Sequence, residues 1–290
     1  TISSALRNTG FGYEVFDDLT SGDDNTGLGR RALTKVTTGS SNTAMGSGSI
    51  ELLTTGSSNT GFGVSSLYAT TTGSSNTAVG SAALSVNTTG TLNTAMGALA
   101  LDANTTASDN TGIGAASMSG NTTGTRNTAV GSDSLKVSTT GNDNTAIGKG
   151  ALTANTTADN NTAVGKNSLT ANTTGDRNVA MGATSLDANT TGAANTALGY
   201  DALGANTTAN SNTAIGSYSL DANTTGGDNV AVGSNALTAN TTASNNTAVG
   251  VSALLAVTTG AENTAVGANS LKTITTGTRN TAVGFEALEL

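Results

Sequence analysis

Large apolar side chains recur along this chain at two fixed positions of a seventeen-residue period. With an Asn taken as position 0, position 3 always carries a large apolar residue, and position 8 carries Leu in most repeats. Asn stands at position 0 and Gly at position 4 in all seventeen repeats, from Asn8 and Gly12 to Asn280 and Gly284. A short period that never slips is typical of a solenoid, in which each repeat forms one coil.

The residues around position 2 predict a short β-strand in every repeat. Position 1 is Thr or Val, position 2 is only Ala or Gly, and position 3 is apolar. Side chains at positions 1 and 3 share one face of such a strand, and position 2 lies on the other. Frequent Gly and β-branched residues disfavour a helix. The sequence therefore predicts an all-β fold: a parallel β-solenoid (β-roll) of seventeen 17-residue coils, continuous as one domain over 1–290.

The apolar columns lead to a prediction of which face points inward. We expect positions 3 and 8 to fill the coil, as the structural core. These residues include Val79, Leu84, Val130, Leu135, Val164, Leu169, Val232 and Leu237. The restriction of position 2 to Ala or Gly indicates a second surface very close by, and we expect that surface to be another chain. The predicted chain–chain contacts are Ala129, Ala146, Ala163 and Ala180. One Val and one Leu per coil bury little area, which also favours several chains packed side by side.

The invariant Asn and Gly are predicted to be structural. Gly without a Cβ suits a corner with positive φ, and Asn can bond to the backbone at a turn or to identical Asn side chains in a ladder. The predicted turn and ladder residues are Asn127, Gly131, Asn144, Gly148, Asn161 and Gly165.

Charge is confined to a few columns. All thirty charged residues fall at positions 5, 6, 9, 10, 15 or 16, which we expect to form the outer surface. The net charge of −8 disfavours nucleic acid and anionic membranes as partners. No apolar run is long enough to span a bilayer.

Candidate chemistry is sparse. The chain has no His and no Cys, and its carboxylates form no distinctive pair, so we expect no enzyme activity, no cofactor and no metal. Asp17, Asp18, Asp23 and Asp24 form the densest acidic cluster. Such a cluster could bind Ca²⁺, but a solvated surface is the favoured interpretation.

Two Thr-rich features leave further alternatives. The repeated Thr-Thr pair at positions 12 and 13, as in Thr105 and Thr106, could form an ice-binding array with one of the two columns outward. The Asn-Thr-Thr triplets at Asn104, Asn121 and Asn155 match a glycosylation acceptor pattern, which we do not expect to be used.

The run from Asn246 to Leu254, Asn-Thr-Ala-Val-Gly-Val-Ser-Ala-Leu, resembles the head repeats of trimeric autotransporter adhesins. It is also similar to 17-residue arrays in bacterial surface proteins and phage tail-fibre proteins. The resemblance covers the whole chain and implies a left-handed roll, three chains around one axis, and the small-residue strand toward the partners. The repeat here is longer than the adhesin unit, and adhesin stalk heptads and membrane-anchor strands are not seen.

Together these patterns predict a structural fibrous protein, extracellular or on the cell surface, that serves as a rigid shaft or adhesive head. The resemblance implies that its chains form a homotrimer. A phage tail-fibre shaft involved in host attachment and a self-assembling filament subunit, stacked end to end, remain alternatives. We expect the chain to be a segment of something longer. The sequence leaves the binding target open.

Overall fold

The computed structural model describes residues 4–289 and divides into two compact units, Thr1–Asp143 and Asn144–Leu290. Each unit is a parallel β-solenoid, and no helix occurs among the described residues. This confirms the predicted all-β solenoid class. The single continuous domain over 1–290 stays a prediction.

Each coil contributes one three-residue strand at positions 1 to 3, where the sequence placed it. The strands of the first unit are β1 (Thr9–Phe11), β2 (Thr26–Leu28), β3 (Thr43–Met45), β4 (Thr60–Phe62), β5 (Thr77–Val79), β6 (Thr94–Met96), β7 (Thr111–Ile113) and β8 (Thr128–Val130). Those of the second unit are β9 (Thr145–Ile147), β10 (Thr162–Val164), β11 (Val179–Met181), β12 (Thr196–Leu198), β13 (Thr213–Ile215), β14 (Val230–Val232), β15 (Thr247–Val249), β16 (Thr264–Val266) and β17 (Thr281–Val283).

Within each unit, successive strands pair in parallel and in register. Thr162 pairs with Val179, and Ala163 pairs with Ala180, so each column of the repeat stacks on itself. Outside the strands the stacking continues through the backbone, as where the N–H of Thr173 donates to the carbonyl of Thr190 at 2.9 Å. Neighbouring coils in such a ladder lie about 4.8 Å apart. In the columns that the repeat conserves, each side chain of an inner coil therefore has chemically similar neighbours one coil above and below.

The interior of the coil is built from small and amide side chains around one leucine. Position 8 is fully buried in the inner coils, as at Leu84, Leu135, Leu169 and Leu237. Around it lie the Ala of position 2, the Ala or Ser of position 7, and the Asn of positions 0 and 11, all buried. The space inside one coil is thus narrow and half polar.

The predicted orientation of the strand was wrong. Ala129, Ala146, Ala163 and Ala180 are fully buried within their own chain, so they face the coil interior and not a partner. The strand valines, predicted to be core, are only half-buried and lie on the outer face; they are Val79, Val130, Val164 and Val232.

The width of the coil explains this reversal. A Cβ built at Gly61, a position 2 residue, would lie 2.6 Å from Oγ of Ser49 and 2.7 Å from Cγ1 of Ile50 in the preceding coil. Positions 7 and 8 of the same chain therefore impose the restriction to Ala or Gly. No second chain is needed to explain it.

Position 4 requires glycine for two reasons. Gly165 has φ of 135° and Gly148 has φ of 131°, in a region that side chains strongly disfavour. A Cβ on Gly165 would also stand 2.5 Å from the carbonyl oxygen of Gly182 in the next coil. Gly131 has the same φ of 135°.

The position 0 asparagines form the ladder that the sequence predicted. Nδ2 of Asn127 donates to the carbonyl of Gly141 at 2.8 Å, which ties the start of the coil to its end. The backbone N–H of Asn127 donates to Oδ1 of Asn110 at 3.0 Å, which ties one coil to its neighbour. In the second unit, Asn144 bonds Ala158 through Nδ2, and its Oδ1 accepts the N–H of Asn161 at 2.9 Å.

A second asparagine ladder, at position 11, was not predicted. Nδ2 of Asn104 donates to Oδ1 of Asn87 at 2.9 Å and to the carbonyl of Ala107 at 3.1 Å. The same carbonyl accepts Nδ2 of Asn93, so two ladders converge on one backbone oxygen per coil. Ser138 interrupts this ladder, and its Oγ is a buried group without a hydrogen-bond partner in the described chain.

We expect Asn195→Ala to destabilise the fold by about 3 kcal/mol or more. The substitution removes the donor to Ala209 and leaves the buried N–H of Asn212 without its acceptor, which lies at 3.0 Å. The free energy of unfolding, measured by guanidinium denaturation followed by circular dichroism, checks this.

The matched control is Asn210→Ala, at exposed position 15, where a single N–H of Ala193 loses a side-chain acceptor. It should cost less than about 1 kcal/mol. Equal losses for the two variants would contradict a structural role for the position 0 ladder.

Candidate interaction faces of the coils

The outward side of the strands forms an uncharged surface, which we call the strand face and define as positions 1 and 3. Position 3 supplies one large aliphatic, Met or Phe side chain per coil. Leu198 is 43% exposed and Met181 is 41% exposed, whereas the buried leucines of position 8 have no exposure. Position 1 supplies a half-buried Thr or Val beside each of them in the middle coils of both units. Charged residues never occur at positions 0 to 4.

The charged columns lie on the remaining outer surface and pair between neighbouring coils. Arg126 contacts Asp143 at 2.7 Å, and Arg279 contacts Glu262 at 2.7 Å. The guanidinium of Arg126 donates hydrogen bonds to Asp143 and lowers the pKa of that carboxyl. These pairs are exposed, so each contributes little to stability.

The acidic cluster considered for Ca²⁺ is occupied by the chain's own donors. Asp18 contacts Nζ of Lys35 at 3.0 Å, and Asp24 accepts Nη2 of Arg7 at 2.8 Å. Oδ1 of Asp23 accepts the backbone N–H of Leu6 at 2.7 Å. These contacts favour the solvated, ion-paired surface over a cation site.

A second group of carboxylates has no cation beside it. Asp187, Gly204 and Asp221 occupy position 9 in three successive coils, stacked through backbone hydrogen bonds. The carboxylates of Asp201 and Asp221 both lie close to Gly204. A Cβ built on Gly204 would lie 2.7 Å from Oδ1 of Asp201 and 3.1 Å from Oδ1 of Asp221. Burial raises the pKa of Asp221, and the charges of Asp201 and Asp187 raise it further. Burial and Asp201 likewise raise the pKa of Asp187.

The threonines of positions 12 and 13 have different surroundings. The Thr190 hydroxyl, at position 12, donates to the carbonyl of Thr207 at 3.0 Å. At position 13, Thr191 and Thr208 are exposed, and their hydroxyls make no hydrogen bond within the described chain. Position 13 therefore presents a row of available hydroxyls, one per coil.

The Asn-Thr-Thr triplets do not display their asparagines. Asn104, Asn121 and Asn155 are fully buried in the position 11 ladder. Their side-chain amides are engaged inside the coil, as in the 3.1 Å bond from Asn155 to Ala158.

The described surface is smooth. No pocket opens on residues 4–289, and none of their acidic side chains are grouped so as to hold a metal ion. In the same range no helix has the length and apolar character needed to cross a membrane.

Sequence reasoning missed the strand face because it placed position 3 inside. One signal could have found it: a column that tolerates Phe62, Met96 and Val79 alike is not closely packed, whereas a column limited to Ala and Gly is. The Asp187–Asp221 group was also missed, although the seventeen-residue period places those residues two coils apart in one column.

Comparison with known proteins adds no family. The chain matches no protein-family model and no curated protein.

The pKa shift of Asp221 predicts a pH-dependent stability. Its folded pKa is raised above the ordinary value of 3.8, so the unfolded chain ionises first as the pH rises. The free energy of unfolding therefore falls as the pH rises from the unfolded to the folded pKa of Asp221, and it stays lower at neutral pH. We expect Asp221→Asn to raise the denaturation midpoint at pH 7 and to leave it unchanged near pH 3.

The control is Asp143→Asn, whose expected effect on the denaturation midpoint at pH 7 has the opposite sign. Asp143 has a lowered pKa, so its contribution is present at neutral pH and is lost as the pH falls. Asp143→Asn should lower the midpoint at pH 7. Denaturation of both variants across this pH range checks the two signs, and a stabilisation by Asp221→Asn that persists at pH 3 would contradict the assignment.

Proposed function

We propose that this chain is a non-enzymatic structural segment of a fibre, which associates with other copies of itself through the strand face. The observation that carries the proposal is the row of half-buried to exposed apolar side chains at position 3, which every coil repeats without a charge. Contiguous apolar surface of this kind marks interaction sites in soluble proteins.

The repeat spacing favours a second copy as the occupant. A partner that contacts every coil must present side chains at the same axial spacing of about 4.8 Å. A globular partner offers such a match over a coil or two, whereas another copy of this chain offers it along a whole unit. The strand face is also uncharged, so copies that meet there bring no like charges into direct contact, and the net charge of −8 lies on other columns.

We infer a homotrimer with a left-handed roll, which is the arrangement that the resemblance to adhesin heads implies. The small residues of position 2 are not the contact, because they lie inside the coil. The contact would be made by the larger residues of position 3.

A fibre of this type belongs outside the cell, as a shaft or adhesive head. Laddered backbone bonds in every coil and two asparagine ladders supply stiffness along the stacking direction within each unit. A phage tail-fibre shaft and a filament subunit would use the same strand face, so they remain alternatives for the setting in which the segment works.

Association can be tested by placing charge on the strand face. We expect wild-type protein to sediment as a trimer and the double variant Val164→Asp, Val266→Asp to sediment as a monomer. Both valines lie at position 3 of the second unit. Analytical ultracentrifugation at micromolar concentration gives the mass, and circular dichroism checks that the β-solenoid remains.

The matched control is Val251→Asp, an equally drastic change at position 5, where the side chain is 54% exposed and lies off the strand face. It should leave the mass unchanged. A folded wild-type monomer, or dissociation caused equally by Val251→Asp, would refute the proposal.

Ice binding is a second candidate, favoured by the available hydroxyls of position 13. Thr191 and Thr208 belong to a regular uncharged row, and water ordered on such a row could join an ice lattice. Thermal hysteresis of purified protein would then be lost in Thr208→Asp and kept in Ser211→Asp, an exposed change three residues away. An absence of thermal hysteresis in the wild type would remove this candidate.

A further inference from the structure

The second unit contains the only stacked pair of aromatic rings found among the described residues. The ring centroids of Tyr200 and Tyr218 lie 5.4 Å apart with the planes at 78°, an edge-to-face arrangement. Tyr200 is 51% exposed and Tyr218 is 41% exposed. Aromatic pairs in this geometry are favourable, and here ring surface remains open to solvent. The pair lies at positions 5 and 6, off the strand face.

The acidic group described above adjoins the same rings. Asp201 and Tyr218 occupy position 6 in successive coils, and the backbone N–H of Tyr218 donates to the carbonyl of Tyr200, the neighbour of Asp201, at 3.0 Å. Burial raises the pKa of the Tyr218 hydroxyl, and Tyr200, Asp201 and Asp221 raise it further. We call the combined surface the Tyr–Asp patch. It consists of Tyr200, Tyr218, Asp187, Asp201 and Asp221.

The chain supplies no cation to this patch. Residues 178–271 contain no Lys and no Arg. Among the described residues no ion pair reaches Asp187, Asp201 or Asp221, whereas acidic residues such as Asp133 and Glu262 have a partner. No cation of the described chain therefore offsets the repulsion among the three carboxylates, although backbone N–H groups of Asp187 and Ala188 stabilise the ionised form of Asp187.

We propose that the Tyr–Asp patch is a docking site for an arginine-bearing segment of a partner protein. Charge complementarity requires a cationic group, and the exposed rings favour a planar one. A guanidinium stacks on aromatic faces and bonds carboxylate oxygens through a rigid set of donors, whereas an ammonium is a compact and strongly hydrated charge. Gly204 contributes by leaving the space between Asp201 and Asp221 free of a side chain.

The Tyr–Asp patch also differs from the strand face because it is not repeated along the chain. The strand face repeats in every coil, whereas these five residues occur together once in 290 residues. A partner that reads this patch would therefore bind at one position of each chain. This inference is independent of the proposed self-association, because the patch uses positions 5, 6 and 9.

Binding can be measured with acetylated tri-arginine amide as the probe. The chain has no Trp and only four Tyr, so NMR of ¹³C-labelled tyrosine rings reports directly on the site. At low salt we expect saturable shifts of Tyr200 and Tyr218 and none of Tyr13 or Tyr68. Tri-lysine amide should bind at least about threefold more weakly, because it lacks the planar stacking group.

Three variants distinguish binding at the Tyr–Asp patch from general electrostatic attraction of tri-arginine to an acidic chain. Asp201→Asn and Tyr218→Ala should each weaken tri-arginine binding about threefold or more. Asp228→Asn removes the same charge from the same cation-free stretch at a distant exposed column, and it should change binding less than about twofold. Circular dichroism checks that each variant folds, and Asp201→Asn is nearly isosteric.

Three outcomes would overturn the proposal. One is an absence of saturable shifts in Tyr200 and Tyr218. Another is an equal loss for Asp228→Asn and Asp201→Asn, which would show diffuse attraction to an acidic chain. Equal affinity for tri-lysine would overturn the assignment to a guanidinium.

Discussion

The structure depends on the side-chain amide of the asparagine at position 0. In most coils its Nδ2 donates to the carbonyl of position 14, and its Oδ1 accepts the backbone N–H of the next asparagine, as Asn178 does for Asn195. Asn161 is an exception, because its Nδ2 makes no hydrogen bond within the described chain although its Oδ1 accepts the N–H of Asn178. One amide thus fixes both the circumference of a coil and its stacking. A carboxylate lacks the donor and a hydroxyl lacks the reach, which explains why the column tolerates no other residue.

This closure makes the coil narrow, and the narrow interior determines which of the remaining side chains can point inward. Two amide columns and one leucine column occupy the interior, so the strand can turn only a methyl group or a hydrogen inward, as at Ala163 and Gly112. The larger strand residues must then point outward. The apolar strand face is in this sense a consequence of the amide ladder, and it leaves the chain with a surface that association with further copies would cover.

Sequence periodicity alone was enough to predict the coil, its strand and its corners. The strand positions, the buried Leu135 and the requirement for Gly at position 4 all follow from which residue types a column accepts. The direction of the strand did not follow, because alternation shows that Ala129 and Val130 face opposite ways but not which one faces inward. From the sequence we predict that the larger residue, Val130, lies inside. The structure places the smaller residue inside, because other columns already fill the interior, among them the position 11 asparagines such as Asn104, whose ladder was not predicted.

A strict repeat makes weak contacts cumulative, but it cannot make them specific. Each added coil repeats the same position 3 contact, so proposed self-association strengthens with the number of coils while every register offset by one coil looks nearly alike. Residues that break the repeat are therefore the ones that can distinguish one place along a unit from another. Ser138 breaks the inner ladder, and Tyr200 with Asp201 breaks the outer surface. Because the inner break is buried, only the outer one can be recognised by another molecule, and it is there that selection for a particular partner would leave its residues.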